Sequence, residues 1–169
     1  MQLIDTFTTH RLFAERLRFK HLNELHRMHQ DSQVMATLGG VRSDEETRLF
    51  ILNNLNHWQR YGFGLWVFRD RIDNQFVGRA GLRNTDVEGN NKVELAYALI
   101  AKFWAKGLAT EMGEEILKIG FELLKLPEIV CFTLTTNQAS QRVMEKLGFQ
   151  YEREIIYASL PHLFYRLTV

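Results

Sequence analysis

The sequence predicts a single mixed α/β domain over residues 1–169, built on a central twisted mixed sheet of about six to seven strands with helices on both faces. Short runs rich in β-branched and aromatic residues alternate with segments in which apolar residues recur at the helical period. Of the 169 residues, 46% are apolar and only two are proline, so the chain can bury a core and offers no obvious linker.

The first half predicts one strand followed by two helices. A strand is expected over 11–19, and the apolar residues of 21–30 fall on one side of a short helix. A second helix is expected to begin after Ser43, because Ser43 and Glu46 form a capping-box pattern, and to end near 61–62, where a glycine follows a tyrosine.

The hydrophobic period then changes from that of a helix to that of strands. Residues 65–68 and 76–81 predict a pair of hairpin strands around Asp73 and Asn74. A longer strand is expected over 92–100, where β-branched, aromatic and aliphatic residues dominate.

The second half predicts the main helix over 108–124, closed by Pro127, and a strand over 129–135. A short helix and two final strands are expected over 140–147, 151–157 and 162–168. The order strand, helix, strand is typical of a βαβ unit, so the strands over 92–100 and 129–135 should be parallel, with a right-handed connection.

The turn over 104–111 joins the long strand to the main helix and predicts an anion site. Gly107 and Ala109 leave the backbone uncovered, and Lys106 adds a positive charge. The first N–H groups of a helix lack intrahelical partners and lie at the positive end of its dipole, so they can bind a group such as pyrophosphate.

A second strand-to-helix junction lies over 137–149, where Gly148 suits the left-handed position just after a helix end. The carboxyl ends of parallel strands meet at one edge of a sheet, and ligands bind beyond that edge. Asn137 and the turn over 104–111 are therefore expected at the same edge.

Together the two junctions resemble the GNAT superfamily of acetyl-CoA-dependent N-acetyltransferases, and within it the branch of ribosomal-protein N-terminal serine and alanine acetyltransferases. The resemblance covers nearly the whole chain, since other family segments fall in the same order: Thr9-His10-Arg11-Leu12 with Arg18, 64–67 and 76–78. Two positions depart from the broad pattern. Trp104 stands where many members have Arg or Gln, and Met144 stands where many have the tyrosine that protonates the leaving thiolate.

The resemblance implies a GNAT-like fold in which two parallel strands splay apart and bind acetyl-CoA as co-substrate, with no metal. It implies that the pantetheine arm pairs with backbone near Leu99, Ile100 and Ala101. It implies that the pyrophosphate lies on the amides of the turn, namely those of Ala105, Lys106, Gly107, Leu108, Ala109 and Thr110. Asn137 carries amide groups suited to the pantetheine arm, and a role as turn residue or helix cap is equally open.

Glu94 is the candidate general base. It is the only carboxylate in an otherwise apolar strand, and burial there would suit it to accept a proton near neutral pH. The alternative is a carboxylate that is solvated at the mouth of the strand or paired with Lys92 or an arginine.

Ser140 is the candidate proton donor to the leaving thiolate, because its hydroxyl is expected at the start of the second helix. The alternative is a helix N-cap, and the two roles are compatible. Cys131 is interpreted as a buried structural thiol. The six histidines show no metal-ligand spacing, and His26 and His29 are interpreted as part of a solvated helix face.

Aromatic residues near a Gly-rich bend more often belong to the hydrophobic core than line a binding pocket. The resemblance nevertheless implies that part of this cluster, together with 34–41, lines the acceptor site. The cluster consists of Trp58, Tyr61, Phe63 and Trp66. Tyr157 and His162, which flank the last hairpin, are candidates for the same pocket.

Composition sets bounds on partners and location. The formal charge of +1 gives no global field for nucleic acid, and no run approaches the length of a membrane helix. A single cysteine and the absence of a long apolar stretch after a basic start favour the cytoplasm. A monomer and a homodimer are both compatible with the sequence.

The sequence thus predicts an enzyme that transfers an acetyl group from acetyl-CoA to a primary amine, on a protein N-terminus or a small molecule. Transfer would be direct, with no covalent enzyme intermediate. The competing hypothesis is a non-catalytic acyl-CoA-binding sensor or regulatory module. A generic phosphate-binding domain is less favoured, because the turn lacks the Gly-x-x-x-x-Gly-Lys-Ser/Thr pattern.

Overall fold

The computed structural model describes residues 4–169. This part of the chain contains eight strands, which are β1 (Thr6–Thr8), β2 (Leu12–Arg16), β3 (Leu65–Asp70), β4 (Phe76–Val87), β5 (Asn90–Leu99), β6 (Glu128–Leu134), β7 (Gln150–Tyr157) and β8 (Leu160–Thr168). Its α-helices are α1 (Leu22–Gln30), α2 (Ser32–Met35), α3 (Asp44–Tyr61), α4 (Leu108–Lys118) and α5 (Gln138–Lys146). The strands form one mixed sheet in the order β1-β2-β3-β4-β5-β6-β8-β7. The predicted mixed α/β class is confirmed, and the sheet has more strands than the six to seven expected.

The chain divides into two compact units. The first unit comprises Met1–Gly81 and Tyr97–Leu108, and the second comprises Leu82–Ala96 and Ala109–Val169. Strands β4 and β5 and helix α4 each continue along the chain from one unit into the other. The single domain over residues 1–169 stays a prediction.

In the first unit, β2 pairs antiparallel with β1 and β3, with Phe7 opposite Ala14 and Ala14 opposite Phe68. Trp66 and Phe68 are fully buried, and Phe7 packs edge-on against both rings, with centroids 5.2 and 5.7 Å away. These aromatic contacts form the apolar core on which the start of the chain is anchored.

Helix α3 has both boundaries that the sequence predicts. The Ser43 hydroxyl accepts the Glu46 N–H at 3.1 Å, and the Glu46 carboxylate accepts the Ser43 N–H at 3.4 Å, which completes the capping box. Gly62 ends the helix in the left-handed conformation, with φ 78°. The helix buries Ile51 and Trp58 in the first unit.

In the second unit, β5 and β6 run parallel with Glu94 opposite Val130, as predicted for the βαβ connection. Strand β6 also pairs antiparallel with β8, where Phe132 lies opposite Phe164. A buried apolar cluster in this unit consists of Val87, Val130, Ile155 and Phe164. The handedness of the connection stays a prediction.

Strand β4 extends to Val87, six residues beyond the predicted end at position 81. The added part carries Arg83, Asn84, Thr85 and Asp86, and polar residues such as Asn and Asp are depleted in strands. A two-residue turn at Glu88 and Gly89, with φ 52° and 82°, then leads into β5.

Two short elements and one helix end also differ from the prediction. Strand β1 has three residues and helix α2 has four, too few for a periodic pattern to be recognised. The helix expected over 108–124 is α-helical only to Lys118 and continues as a π-helical turn over Ile119–Leu123. None of the helices within residues 4–169 is both long and apolar enough to cross a bilayer.

Candidate active site

The turn after β5 has the backbone shape expected of an anion site. Ala105 and Gly107 have left-handed backbone, with φ 57° and 75°. Residues 104–107 are exposed. Left-handed and right-handed residues in succession turn consecutive N–H groups towards one side and form a concave surface that binds anions. The turn predicted between β5 and α4 is therefore present with left-handed residues at Ala105 and Gly107, and its binding of a phosphate group stays a prediction.

Helix α4 begins at Leu108, so the amides of Leu108, Ala109 and Thr110 are the first helical donors and have no intrahelical acceptor. Leu108 is buried, and Ala109 and Thr110 are half-buried. The helix start adds the positive end of its dipole to the donors of the turn.

The geometry at Gly107 fits close approach of a ligand to the backbone. A Cβ atom added to Gly107 would meet only the Arg11 Nη2 atom, at 3.5 Å, so the space in front of this residue is open. The positive φ disfavours any larger residue by about 1–2 kcal/mol. Glycine thus keeps position 107 both unstrained and uncovered.

The backbone at the end of β5 already has protein partners. The Leu99 carbonyl accepts the Trp104 indole N–H at 2.8 Å, and the Ile100 N–H donates to the Val77 carbonyl at 3.0 Å. The Ala101 carbonyl accepts the Trp104 backbone N–H at 3.1 Å. Pairing of pantetheine with Leu99, Ile100 and Ala101 stays a prediction. It would use the donor and acceptor positions of these residues that the bonds above do not occupy.

Arg11 lies beside the turn, although 95 positions separate it from Lys106 in the sequence. Its Nη1 donates to the Lys106 carbonyl at 2.8 Å. Lys106 itself is exposed and holds its Nζ 5.5 Å from the centre of the Phe103 ring. The turn in the first unit therefore carries two cationic side chains.

Glu94, the candidate base, is 4% exposed and forms an ion pair with Arg83. Arg83 Nε donates to Glu94 Oε2 at 2.9 Å, and its second donor is 3.5 Å from Oε1. The neighbouring carboxylate raises the pKa of the Arg83 guanidinium. Among the non-catalytic alternatives left open by the sequence, the structure shows the pairing with an arginine, and the role of Glu94 as general base stays a prediction. Lys92 pairs with Glu128 instead.

Near the turn of the last hairpin, the Tyr157 ring contacts Phe132 and His162, with centroids 4.6 and 5.5 Å away. The Tyr157 hydroxyl lies 3.4 Å from the Thr85 hydroxyl. Both Tyr157 and His162 are half-buried. The structure brings these two candidates together in the second unit, and their role at an acceptor pocket stays a prediction.

Helix α5 is capped by Asn137 rather than by Ser140. The Asn137 side-chain oxygen accepts the Ser140 N–H at 3.1 Å, and α5 begins at Gln138. Ser140 is the third residue of the helix, so the alternative N-cap role for Ser140 is wrong. The reason is local: an Asn side chain before the first helical residue reaches the third N–H directly. The roles of Asn137 towards pantetheine and of Ser140 towards the thiolate stay predictions.

Two side chains of the second unit are buried and present no reactive group at the surface. Met144, in the position where many family members carry a tyrosine, is fully buried. Cys131 is 2% exposed, and its thiol donates to the Leu95 carbonyl at 3.3 Å, as expected of a structural thiol. Neither of them presents a hydroxyl or an accessible nucleophile.

Most of the aromatic cluster considered for the acceptor pocket belongs to the core of the first unit. Trp58, Phe63 and Trp66 are buried, and the Trp58 indole N–H donates to the Leu65 carbonyl at 3.1 Å. Tyr61 is half-buried. In the segment 34–41, Val34 and Met35 are buried, and Val41 is 55% exposed.

The interpretation of His29 as part of a solvated helix face is wrong. His29 is fully buried; its Nδ1 lies 3.0 Å from the Thr47 hydroxyl, and its Nε2 accepts from Arg79 Nε at 3.3 Å. Burial and the charges of Arg79 and Arg42 lower the pKa of His29 to about 3. Residues 4–169 hold no group of three or more His, Cys, Asp and Glu arranged to bind a metal.

Sequence reasoning missed the contacts of Arg83 and Arg11. A two-residue turn at Glu88 and Gly89 places Arg83 opposite Glu94 across the hairpin. Recognition of this turn in the sequence would have predicted the ion pair. No local signal connects Arg11 with Lys106, because their contact depends on the order of the strands.

Comparisons with known proteins give the family and similar folds. A family model described as an acetyltransferase (GNAT) domain matches residues 11–150. YkkB, an uncharacterised protein of Bacillus subtilis (strain 168), is 28% identical over 125 residues, which cover 74% of this chain and 73% of YkkB. A GNAT-family acetyltransferase structure from Bacillus anthracis is 26% identical, with a TM-score of 0.79 over 96% of this chain and 98% of that one.

A third similar protein shows the fold alone. It is RimL, a ribosomal L7/L12 alpha-N-protein acetyltransferase whose structure contains coenzyme A. It is 19% identical, with a TM-score of 0.81 over 97% of this chain and 98% of that one. Since the family model matches residues 11–150, which are most of the chain, this protein belongs to the GNAT acetyltransferase family.

Proposed function

We propose that the protein transfers the acetyl group of acetyl-CoA directly to a primary amine. The observation that carries the proposal is the exposed turn at Ala105 and Gly107, which leads into the first amides of α4. In this proposal the turn and the helix start bind the pyrophosphate of CoA. Family membership supports acetyl-CoA as the co-substrate.

The amine nitrogen attacks the thioester carbonyl carbon, the carbon–sulfur bond breaks, and the amine loses a proton. In the proposal Glu94 accepts this proton, directly or through water. The Arg83 ion pair orients the carboxylate, with Arg83 Nε on Glu94 Oε2 at 2.9 Å. Positioning of the two substrates supplies a large share of the rate enhancement.

Ser140 is the proposed donor to the departing thiolate. Ser140 lies in the first turn of α5, where its backbone N–H donates to the Asn137 side chain. The helix cap therefore does not depend on the Ser140 hydroxyl. A thiolate is a good leaving group near neutral pH, so this step needs less help than amine deprotonation. The burial of Cys131 supports direct transfer without an acetylated enzyme.

The acceptor in the proposal is a primary amine on a protein N-terminus or on a small molecule. RimL, which shares the fold, is described as acting on the N-terminus of a ribosomal protein. We therefore place peptides that begin with Ser or Ala first among the acceptors to be tested, followed by polyamines, amino acids and aminoglycosides.

A second candidate is an acyl-CoA-binding module without turnover. Two observations favour it: Met144 is fully buried where many relatives have a catalytic tyrosine, and the Glu94 carboxylate is engaged by Arg83. Such a protein would keep the turn and its affinity for CoA.

The test combines calorimetric binding of CoA with release of free thiol from acetyl-CoA in the presence of each acceptor class. Binding together with turnover on one class supports the enzyme and identifies its acceptor. Binding with no turnover on any class supports the sensor. Absence of CoA binding would overturn both candidates.

A further inference from the structure

We infer that Arg11 is a positioning residue for the pyrophosphate turn and adds positive charge close to it, so that it sets the preference for CoA thioesters over thioesters without phosphate. This inference rests on the proposed function and adds to it a residue outside the strand-to-helix junction. It assigns the recognition of the nucleotide half of the co-substrate partly to the segment that precedes β2.

The hydrogen bond to Lys106 explains how Arg11 shapes the turn. Peptide N–H groups that face a bound anion leave the carbonyl groups of the same peptides facing away, and those carbonyls need donors of their own. Arg11 Nη1 donates to the Lys106 carbonyl at 2.8 Å. The bond therefore favours the orientation in which the N–H of the next residue, Gly107, is available to a ligand.

The position of the guanidinium explains how Arg11 adds charge. Its Nη2 lies 3.5 Å from the point where a Cβ of Gly107 would be. A guanidinium is always charged and holds its N–H donors in a fixed fork, so one donor can bind the Lys106 carbonyl while the charge stays close to the turn. The charge thus lies behind the backbone donors that the proposal assigns to pyrophosphate and attracts the anion across the turn.

Arg11 is held in place from the hairpin between β3 and β4. The Arg71 backbone N–H donates to the Arg11 carbonyl at 3.0 Å. The Arg71 guanidinium donates to the Thr9 carbonyl at 2.9 Å. These bonds fix the backbone from which Arg11 extends, and the bond from Nη1 to the Lys106 carbonyl holds the guanidinium at the turn.

The lysines of the same region are less well suited to this role. The Nζ atoms of Lys102 and Lys106 lie 5.7 and 5.5 Å from the Phe103 ring, and Lys102 donates to the Gln75 side chain. A lysine on an exposed turn is a flexible point charge, whereas Arg11 combines charge, a fixed position and a bond to the turn itself.

The test compares two thioesters, acetyl-CoA and S-acetylpantetheine, which lacks every phosphate. The variants are Arg11→Gln, Arg11→Lys and, as a matched loss of one arginine from the same unit, Arg48→Gln. Arg48 is exposed and pairs with Asp44 on α3. Thermal unfolding of each variant and calorimetric binding of CoA and of dephospho-CoA, which keeps the pyrophosphate, accompany the kinetics.

We expect Arg11→Gln to raise the KM for acetyl-CoA about tenfold with kcat nearly unchanged, the loss typical of one charge-assisted hydrogen bond. Its kcat/KM for S-acetylpantetheine should stay within twofold of the wild type. The affinities of Arg11→Gln for CoA and dephospho-CoA should fall by similar factors. Arg11→Lys should recover part of the loss, and Arg48→Gln should leave the kinetic constants for both thioesters unchanged.

Equal losses on both thioesters would show that Arg11 has only a structural role, and unchanged kinetics on both would show that it has none. Either result overturns the inference and leaves the proposed function intact. Failure of the wild-type protein to bind CoA would overturn the proposed function and the inference together.

Discussion

Arg83 and Glu94 form an ion pair across the hairpin of β4 and β5, with Arg83 Nε 2.9 Å from Glu94 Oε2. The pair is asymmetric, because the Glu94 side chain is 6% exposed and that of Arg83 is 36% exposed. A carboxylate taken out of water needs a partner, whereas the partner here still reaches solvent. The buried carboxylate therefore has its ion-pair partner on the side that faces solvent.

Replacement of Glu94 by Gln tests its role as the base. We expect kcat to fall at least about 100-fold with CoA affinity unchanged, because general bases contribute on that scale. Loss of the pair should lower the free energy of unfolding by about 1–3 kcal/mol, below the value for a fully buried pair, since Arg83 stays solvated. Single-turnover kinetics and urea unfolding provide the two measurements.

Arg83→Gln is the matched variant, because it breaks the same pair from the other side. If Glu94 is the base, kcat should also fall in Arg83→Gln, since the carboxylate loses the partner that orients it. Normal turnover in both variants would leave the pair a purely structural role.

Gly107→Ala tests the turn, with Gly89→Ala as a control of equal backbone strain. Both glycines have positive φ, 75° and 82°, and neither substitution meets a close contact, so each should cost about 1–2 kcal/mol of stability. Only Gly107→Ala should weaken CoA binding, by about tenfold or more, because its Cβ lies on the open face of the turn. Calorimetric binding of CoA to both variants is the measurement. Equal affinities would show that the pyrophosphate does not bind at this turn.

Asn137 and Ser140 allow capping to be separated from chemistry. Asn137→Ala should lower the free energy of unfolding by about 1 kcal/mol, and Asn137→Asp should restore most of it, because both Asn and Asp accept the Ser140 N–H. Ser140→Ala keeps that N–H and should leave stability within about 0.5 kcal/mol. If Ser140 protonates the thiolate, its kcat should fall about tenfold; an unchanged kcat would assign that proton to water.

His29 makes stability depend on pH in a direction set by its burial. The native state lowers its pKa from 6.5 to about 3, so between these values the unfolded chain binds a proton that the native protein does not. Stability should therefore be full above about pH 6.5 and should fall as pH decreases towards 3, by up to about 1.4 kcal/mol per pH unit. Urea unfolding from pH 7 to pH 5 measures the slope.

His29→Gln should flatten this slope, because an amide can accept from Arg79 and donate to Thr47 without titrating in this range. His10→Gln, which removes an exposed imidazole from the same unit, serves as the control. If the slopes of the wild type and His29→Gln coincide between pH 7 and pH 5, His29 does not account for the acid sensitivity.

Where a prediction depended on neighbours along the chain, the structure agrees closely. The cap at Ser43 and Glu46, the end of α3 at Gly62 and the left-handed residue Gly148 after α5 all involve groups within a few residues of one another. The errors follow the same logic, since the second half of β4 is too polar and β1 is too short for any periodic signal.

By itself the sequence determined the class of fold, the order of the main elements, both ends of α3 and the position of the turn that leads into α4, because local hydrogen bonds and hydrophobic period encode them. Only the tertiary structure decided which distant groups meet: Arg11 at the Lys106 carbonyl, 95 positions away, Arg79 at His29, and Arg83 at Glu94. Such contacts depend on strand order and register, which no short segment contains. A buried charge acquires its chemistry from the partner that the fold brings to it.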